Sequence, residues 1–379
     1  MTPSQPPTHG ATRTTTSRRQ FLKWSSIAGL AVAAGPALAA CAADSSDASQ
    51  GGKVKLIHAS QDPLVLWAVT YLAEDDGYYK DEGLEVERVL LAGGPPALTA
   101  LLGRNGDANL SAPGELLAAV DKGQDLKVLM AHTNTFPGVI VVSKKFAERV
   151  GVTETSPLAE RQAALGQVSM PRMGITAPGS ITDGVGRLAL RQAGVDPGAK
   201  ARIVPLGTAS NAIAAMANNQ IDAFFGAPPA AEIAMQQVGA IPLLVNQAGE
   251  IEGGDRFQGM TLQTRAAETK SSAQALQAVV NADVKALKAL LDDPVGVGQL
   301  LRKTRFSALE QPVWDSTWKR IQQCWKSPYV QQDSLAAWFD AGLVDSGKVD
   351  GANFPYDKVL DMTFVDKAVK HLGWSQVSQ

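Results

Sequence analysis

The chain has 379 residues, of which 35 are Lys or Arg and 37 are Asp or Glu, so its net charge at pH 7 is -2. This near balance excludes the large single-sign field that attracts nucleic acid or a membrane surface. Hydrophobic residues make up 45% and charged residues 19% of the sequence. That mixture can bury a sizeable core, and the length is enough for two domains.

The N-terminal segment has the features of an export signal. Residues 17–23, "SRRQFLK", contain two adjacent arginines and resemble the twin-arginine signal, which an export receptor reads. The apolar run that follows, residues 27–40, is too short to span a bilayer but suits the core of a signal peptide. Residues 38–41, "LAAC", resemble a bacterial lipobox, in which Cys41 is lipidated and becomes the first mature residue.

Residues 1–41 are therefore predicted to be a twin-arginine lipoprotein signal that ends at the lipidation site Cys41. An ordinary membrane anchor and a cleaved signal in which Cys41 has no role stay open as alternatives. The small and polar residues 42–52 are predicted to form a flexible tether. The sequence has two cysteines, so acylation of Cys41 leaves no internal disulfide, and Cys324 is predicted to be a small buried hydrophobe.

From residue 53 onward, short β-rich runs alternate with longer helical patterns. Strands separated by helical patterns of about 10–15 residues predict βαβ units and mainly parallel sheets. The predicted strands of this first pass cover residues 54–60, 84–91, 108–113 and 126–132, and the predicted helices cover residues 63–83, 97–106 and 114–123. The helix over 63–83 is expected to run into a turn at its end.

A second pass of the same alternation begins after residue 137. Its predicted strands cover residues 138–145, 170–176, 201–207, 221–227 and 241–247, and its predicted helices cover residues 182–194, 211–220 and 230–239. From residue 266 onward the pattern is nearly all helical. We therefore predict an α/β protein with two lobes, each a mainly parallel sheet flanked by helices. Lobe 2 comprises residues 138–257, and lobe 1 comprises residues 53–137 with the returning, C-terminally helical residues 258–379.

The turns that follow the predicted strands are rich in hydroxyl, amide and glycine residues. In open α/β sheets, ligands bind at the carboxyl ends of strands, where helix N-termini and free backbone N–H groups converge. The residues of this kind are Ser60, Gln61, Gly94, Ser111, Thr133, Asn134, Ser180 and Thr182. Ser180 or Thr182 can cap the helix that starts there, which leaves free N–H groups for an anion. Each residue alone is an ordinary turn or cap residue, and together they predict one ligand cleft between the lobes.

Catalytic and metal-binding patterns are weak. The sequence contains no HExxH, CxxC, GxSxG or Walker loop. Of the four histidines, His132 falls at a turn near the expected cleft, and a structural role is the simpler interpretation. Because the turns hold no group of acids or histidines, we predict no metal, no cofactor and no catalytic residue.

The ordered series of these segments resembles a known family. Residues 54–129 ("VKLIHASQ" to "DLKVL") and residues 179–229 ("GSITDG" to "FFGAPP") resemble the periplasmic substrate-binding proteins of ABC importers, nitrate/sulfonate/taurine type. The resemblance covers about residues 53–263. It implies a periplasmic-binding-protein type II fold, whose hinged cleft closes on a small solute. Carried over by position, the implied ligand contacts are Ser60, Gln61, Gly94, Ser111, Thr133, Asn134, Ser180 and Thr182.

The resemblance also implies partners and a location. It implies a monomer that is not an enzyme and that delivers its solute to ABC permease and ATPase subunits. A lipid would hold this monomer at a membrane of the periplasm or cell envelope. The hinge points would lie near residues 135–138 and 253–259. Hydroxyls and helix N-termini suit a small organic anion with a sulfonate or carboxylate head group. Arg172 and Arg256 lie near the turns but not in them, which disfavours a doubly charged solute.

Two other interpretations stay open. Thiamine-pyrimidine precursors are a further solute class of such proteins, and thiamine-pyrimidine synthases resemble the same fold, although this sequence lacks the cysteine-rich run of those enzymes. The other interpretation is a sensor or scaffold that binds a solute and signals to another protein, although no kinase or coiled-coil segment supports it.

Overall fold

The computed structural model describes residues 52–344, 349–375 and 377. The predicted export signal, the predicted lipidation site Cys41 and residues 42–51 of the predicted tether lie outside these residues. Gly52, which the pattern assigns to the tether, is the first residue of a strand and pairs with Leu84. Strand β1 therefore extends into the Gly-rich end of the predicted tether.

The strands of the described residues form two five-stranded sheets. Their bounds are β1 Gly52–His58, β2 Leu84–Leu90, β3 Ala108–Ser111, β4 Leu126–Ala131, β5 Val139–Val142, β6 Arg172–Ile175, β7 Arg202–Pro205, β8 Ala223–Gly226, β9 Ile241–Val245 and β10 Thr261–Arg265. The strand order is β2-β1-β3-β10-β4 in the first sheet and β7-β6-β8-β5-β9 in the second.

The two sheets share one topology. In each, three strands pair in parallel, and one strand, β10 or β5, is antiparallel to both of its neighbours. Four of the five strands therefore point the same way, and the predicted two-lobed architecture with mainly parallel sheets is confirmed. The reversed strand is in both cases the first strand after the chain crosses from the other sheet, which places the crossings side by side.

The chain crosses between the sheets twice, after β4 and after β9. The lobe boundaries expected after residues 137 and 257 fall inside these two crossings, and as cut points they stay predictions. The crossings also contain residues 135–138 and 253–259, where hinges are expected. Because the chain passes between the lobes at these segments, rotation there is the simplest way for the lobes to move relative to one another.

Strand β10 escaped the sequence prediction, which placed only a crossing there. Its sequence, TLQTR, shows no apolar alternation, yet Thr261, Gln263 and Thr264 are all buried. Their polar groups are satisfied within lobe 1: Gln263 Nε2 donates to the Ser111 carbonyl at 3.2 Å, and Thr264 Oγ1 donates to the Asp107 carbonyl at 2.7 Å. Hydrophobic periodicity does not reveal a strand whose buried side chains are polar and hydrogen-bonded.

Helices cover both faces of the sheets and dominate the C-terminal third. Their bounds are α1 Ala68–Asp75, α2 Tyr78–Asp81, α3 Gly94–Leu102, α4 Gly114–Asp121, α5 Lys144–Val150, α6 Leu158–Ala163, α7 Ile181–Gln192, α8 Ala209–Ala217, α9 Ala230–Val238, α10 Glu268–Ser271, α11 Ala273–Asp292, α12 Pro294–Thr304, α13 Gln311–Ile321, α14 Gln332–Asp340, α15 Tyr356–Val359 and α16 Thr363–His371. Of the described helices, none is long and apolar enough to cross a membrane.

The helix predicted over residues 63–83 is broken into shorter pieces. A 3₁₀ turn at Val65–Trp67 precedes α1, and Gly77, in the left-handed conformation with φ of 75°, separates α1 from α2. Residues with a Cβ rarely adopt this conformation, so glycine at position 77 lets the chain turn without strain.

The C-terminal helices pack on lobe 1 through a buried polar network. Tyr79 Oη donates to Asp283 Oδ1 at 2.5 Å, and His132 Nε2 lies 3.0 Å from Asp283 Oδ2. All three side chains are buried, so His132 has the structural role that the sequence favoured. Cys324 is also buried as predicted, and burial raises the pKa of its thiol to about 12, which keeps it protonated and unreactive.

Candidate ligand-binding site

A cavity lies between the lobes, at the carboxyl ends of their parallel strands. Its lobe 1 wall includes Ala59 after β1 and Ser111 at the end of β3, and its lobe 2 wall includes Thr176 after β6 and Phe225 in β8. The volume is about 70 Å³, measured as the space open to the centre of a water molecule, which is room for several waters or one small solute. Both lobes therefore face one enclosed space.

Most of the predicted contact residues line this cavity, but some do not. Those that line it are Ser60, Gly94, Ser111, Ser180 and Thr182. Gln61, Thr133 and Asn134 are absent from the wall. Gln61 is exposed to solvent, Thr133 is buried and Asn134 is half-buried. The structure thus brings together five of the eight predicted positions, from four of the predicted turns.

Thr133 and Asn134 hold the first crossing to distant parts of the chain instead. Thr133 Oγ1 accepts a hydrogen bond from the backbone N–H of Met260 at 2.8 Å. Asn134 Oδ1 accepts from the N–H groups of Lys326 and Ser327, both at 2.9 Å, and Asn134 Nδ2 donates to the Tyr329 carbonyl. Thr133 therefore joins the two crossings, Asn134 fixes the C-terminal segment against the first crossing, and neither side chain lines the cavity.

The lobe 2 wall presents a helix N-terminus ringed by hydroxyls. Ser180 caps α7, and its Oγ accepts from the Asp183 N–H. The hydroxyl oxygens of Thr176, Ser180 and Thr182 lie 2.9–3.0 Å apart in a triangle. At this helix start the N–H groups of Ile181 and Thr182 have no acceptor within the helix, and none of the described residues supplies one. They and the hydroxyls form a donor-rich patch on the cavity wall.

Aromatic rings close the rest of the cavity. The wall includes Trp67 from lobe 1, Phe136 from the first crossing and Phe225 from lobe 2. The Phe136 and Phe225 ring centroids are 5.8 Å apart, and Trp67 packs on the imidazole of His58 at 4.8 Å. Burial lowers the pKa of His58 well below its usual value, so this imidazole stays neutral as an aromatic support for Trp67. The cavity is therefore mainly apolar, with polar groups at defined points.

Asp62 joins the two lobes at the cavity edge. Its Oδ2 accepts from the backbone N–H of Ala209 at 2.7 Å, and its Oδ1 accepts from Ser210 Oγ at 2.8 Å. Both donors lie in the first turn of α8, whose positive end favours a carboxylate. A backbone bond from Val65 N–H to the Pro228 carbonyl at 3.0 Å also crosses between the lobes. In this structure the lobes are therefore closed over the cavity.

A second carboxyl reaches the cavity from lobe 1. Glu115 lies in the first turn of α4 and lines the cavity, and both of its carboxyl oxygens are buried without a hydrogen-bond partner. Its carboxyl lies against Gly94, where a Cβ would overlap it. Burial raises the pKa of Glu115 to about 8, with a smaller opposing effect from its own backbone N–H, so the carboxyl is neutral at pH 7.

No positive side chain lines the cavity wall, which contains no Lys, Arg or His. Arg172, which the sequence places near a turn, lies at the opposite end of β6 and pairs with Asp222, from Nη2 to Oδ1 at 2.8 Å. Asp222 is thereby structural, because it holds Arg172 at the end of β6 away from the cavity. Within residues 52–344 and 349–375, no three His, Cys, Asp or Glu side chains lie together so that they could hold a metal ion.

The sequence prediction missed two acids with distinct positions at the cavity. Asp62 sits in the same turn as Ser60, but its partner α8 is on the other lobe. Glu115 has a weak local signal, because it is the one charged residue in the first turn of an otherwise apolar helix start, "SAPGELL". The role of Asp62 depends on the distance between the lobes, and that of Glu115 depends on the packing of α3 against α4 within lobe 1.

Solved structures with the same fold support the two-lobed arrangement. A protein from Bordetella bronchiseptica RB50 is 22% identical with a TM-score of 0.72, over 86% of this chain and 99% of that chain. The nitrate-binding protein NrtA from Synechocystis PCC 6803 is 16% identical with a TM-score of 0.61, over 85% of this chain and 89% of that chain. The alkanesulfonate-binding protein SsuA from Xanthomonas axonopodis pv. citri, bound to MOPS, is 17% identical with a TM-score of 0.61, over 83% of this chain and 100% of that chain.

These likenesses establish the periplasmic-binding-protein fold for this chain, as the sequence resemblance implied. No curated protein sequence matches the chain. The profile of the NMT1-like family matches residues 63–295, which is more than half of the sequence and spans both sheets. The chain belongs to the NMT1-like family.

Proposed function

We propose that this chain is the solute-binding protein of an ABC importer, which captures a small solute between its lobes and delivers it to the permease and ATPase subunits. The observation that carries the proposal is the cavity shared by both lobes, with a donor-rich helix start on one wall and a lobe-to-lobe latch at its edge. The fold and the family fit this role. The structural neighbours NrtA and SsuA are described as nitrate-binding and alkanesulfonate-binding proteins.

Capture works by closure around the solute. A solute that touches both walls interacts more strongly with the closed form than with the open form, and this difference shifts the population toward closure. Asp62 adds two hydrogen bonds between the lobes that form only on closure. Its carboxylate oxygens, the acceptors, lie on lobe 1, and the donors at Ala209 and Ser210 lie on lobe 2. Movement at residues 135–138 and 253–259 would open the cavity for entry and release.

The lobe 2 wall suits an anionic head group such as a sulfonate or carboxylate. Two free N–H groups at the start of α7 and three clustered hydroxyls can donate to its oxygens. A singly charged head group fits better than a doubly charged one, because no positive side chain lines the wall to balance a second charge. The proposed contacts are therefore Thr176, Ser180 and Thr182, with Ser60, Gly94 and Ser111 on the facing wall.

A binding role is favoured over catalysis. A synthase of the thiamine-pyrimidine type carries a cysteine-rich run at its site, whereas the cavity wall here has no cysteine and Cys324 is buried elsewhere. Incubation of the purified protein with the solute it binds, followed by mass spectrometry, should return the solute unchanged. A new product would replace this proposal with an enzymatic one.

The exported protein is proposed to stay at the membrane as a monomeric lipoprotein through Cys41. Labelling of expressing cells with a fatty-acid analogue should tag the wild-type chain and leave Cys41→Ala untagged. Substitution of the arginine pair at residues 18–19 by lysines should retain the chain inside the cell. A wild-type chain that is exported without a lipid would leave the binding role intact and remove the anchor.

A thermal-shift panel tests the binding role. The panel contains nitrate, bicarbonate, taurine, alkyl and aryl sulfonates, aromatic carboxylates and thiamine pyrimidines. A solute at 100 times its dissociation constant stabilises its protein by about 2.7 kcal/mol, which a melting curve resolves. We expect a selective shift that the double variant Ser180→Ala with Thr182→Ala loses.

The matched control is the double variant Thr153→Ala with Ser156→Ala, which removes a second hydroxyl cluster of lobe 2 that is exposed and remote from the cavity. This control should keep the wild-type shift. No shift with any member of the panel, or equal loss in both double variants, would contradict the proposed site.

A further inference from the structure

The carboxyl of Glu115 is a buried acid that no described residue satisfies. Both oxygens are buried and lack a hydrogen-bond partner, although the residue lines the cavity. Most buried polar groups in native proteins are hydrogen-bonded, so an unpartnered carboxyl at a cavity points to a group that arrives with a ligand. Gly94 leaves the space that the carboxyl occupies, since a Cβ there would overlap it.

The surroundings of Glu115 offer neither a positive charge nor a strong donor. The facing helix α3 has no titratable side chain, and its positions 95 and 96 are prolines, which lack the N–H groups that a helix start usually offers. From α14, Trp338 lies against Gly114, next to Glu115. The other acid of the cavity wall, Asp62, is already held by α8. The carboxyl of Glu115 is therefore an acceptor on the lobe 1 side of the cavity wall that no described residue uses.

A purely anionic solute would not use this carboxyl well. An anion would be buried beside two acids, with no Lys, Arg or His on the wall to balance its charge. A positive N–H group, in contrast, favours the charged form of a nearby carboxyl and forms a short, strong hydrogen bond with it. Such a group would offset the free-energy cost of burying the Glu115 carboxyl. A solute with an apolar end at this point would leave the carboxyl without a hydrogen-bond partner.

We propose that Glu115 is the specificity-determining residue of the cavity, and that the solute carries a protonated amine or amidine that pairs with its carboxylate. This proposal rests on the proposed solute-binding function and adds a second recognition point to it. The anionic head group lies at the start of α7 in lobe 2, and the N–H group lies at Glu115 in lobe 1. The solute is then a small compound with an anionic and a cationic end, which links the lobes.

Binding is accompanied by proton release. At pH 7 Glu115 is neutral before a solute binds, because burial raises its pKa to about 8. Docking of a cationic group favours the carboxylate, so about one proton leaves the protein for each solute bound. The affinity of the amine-bearing solute should therefore rise with pH between about 6 and 8, while both the solute amine and the anionic head group keep their charges.

Calorimetry with matched solute pairs tests the proposal on the full chain. The pairs are taurine with ethanesulfonate, β-alanine with propionate, and aminomethylbenzoate with methylbenzoate. We expect the wild type to bind the amine-bearing member of the preferred pair roughly 10- to 100-fold more tightly. Titrations in buffers of different ionisation enthalpy should report the released proton.

Two variants separate a recognition role from a structural one. Glu115→Gln keeps the shape of the side chain but should bring the two members of the pair to nearly equal affinity and abolish proton release. The control is Asp121→Asn, at the other end of α4, because its carboxyl oxygens are also buried without a partner but lie outside the cavity wall. This control should keep both the wild-type preference and the proton release.

The outcomes distinguish this inference from the proposed function. Tight binding of the deaminated member, with an unchanged preference in Glu115→Gln, overturns the inference and leaves the solute-binding function standing. A chain that binds neither member of any pair, nor any solute of the wider panel, contradicts the proposed function and this inference with it. Proton uptake in place of proton release would show that Glu115 donates to an anion, which also overturns the inference.

Discussion

The starts of helices α7 and α8 are alike in sequence and differ in use. Each follows a parallel strand of lobe 2, and each has a hydroxyl N-cap, Ser180 or Thr208, that accepts from the N–H three residues on. The start of α8 is occupied, because Asp62 of lobe 1 accepts from its N–H and hydroxyl groups. The start of α7 is open to the cavity. One helix start thus joins the lobes, and the other faces the solute.

The acids of lobe 1 show the same division. Asp62 has two charge-assisted hydrogen bonds across the cleft, whereas Glu115 has none and stays neutral at pH 7. Both acids lie at a helix start, but Asp62 accepts hydrogen bonds there, whereas the Glu115 carboxyl is buried without a donor, which disfavours its charged form. The carboxyl of Asp62 thus has its hydrogen-bond partners within the protein, whereas the carboxyl of Glu115 has none there and is available to a solute.

The largest effect is expected for the pH dependence of stability at Glu115. Its pKa in the folded chain is about 8, above the ordinary 4.5, so the folded state binds the extra proton between these pH values. The free energy of unfolding should therefore fall as pH rises from about 5 to 8, and the full penalty should be present above pH 8. Glu115→Gln should remove about 3–5 kcal/mol of that penalty. Denaturant melts of the solute-free chain at pH 5, 7 and 9 measure it, and a wild-type curve parallel to that of the variant would contradict it.

The next effect is expected from Asp62→Ala. The variant leaves the donors at the start of α8 unpaired and removes two charge-assisted bonds of the closed form. Because water replaces the carboxylate at these donors in the variant, the two bonds together should contribute about 1.5–3 kcal/mol, and solute affinity should fall roughly 10- to 100-fold. Calorimetry with the solute of the panel measures the loss. An unchanged affinity would mean that the bonds from Asp62 to the start of α8 do not stabilise the closed form.

A smaller loss is expected from Gly93→Ala. Gly93 has a φ of 98°, and an added Cβ would lie 3.3 Å from Thr176 Oγ1 on the other lobe. The backbone strain of about 1–2 kcal/mol should lower the free energy of unfolding, and the contact of the added Cβ with Thr176 on the other lobe should disfavour closure. Solute affinity should fall about ten-fold. Gly123→Ala is the matched control, because Gly123 also has positive φ but no atom near the added Cβ; it should lose stability without losing affinity.

The smallest loss is expected from Ser210→Ala, which removes one of the two bonds to Asp62 and leaves the Ala209 bond in place. A loss of about 0.5–1.5 kcal/mol predicts a two- to ten-fold weaker affinity. In the double variant with Asp62→Ala, the serine change should add nothing further. A fully additive double variant would show that Ser210 acts on the solute by another route.

The sequence predicts the fold well because its signals are local. Alternating apolar runs and helical patterns mark nine of the strands, and the buried polar strand β10 escapes for lack of such a pattern. The site is only partly predictable. Ser180 and Thr182 follow from helix capping, a local rule, whereas Thr133 and Asn134 are bound by Met260 and by residues 326–329, which no local pattern connects to them.

The roles of the two acids depend on tertiary contacts, between the lobes for Asp62 and within lobe 1 for Glu115. Asp62 reads as an ordinary turn residue until the start of α8 is placed beside it, and Glu115 reads as an ordinary first-turn acid, which would favour a helix dipole. Its burial results from the close approach of α3 and α4 at Gly94. Burial and cross-lobe contacts of this kind come from tertiary packing, and sequence periodicity carries no information about them.

Small-angle X-ray scattering of the chain with and without the solute found in the panel tests capture by closure of the two lobes. We expect a smaller radius of gyration at saturating solute, a scattering curve that matches the closed structure, and loss of this compaction in Asp62→Ala at the same solute concentration. Saturated binding with no change in the radius of gyration, in wild type and variant alike, would contradict capture by closure of the two lobes.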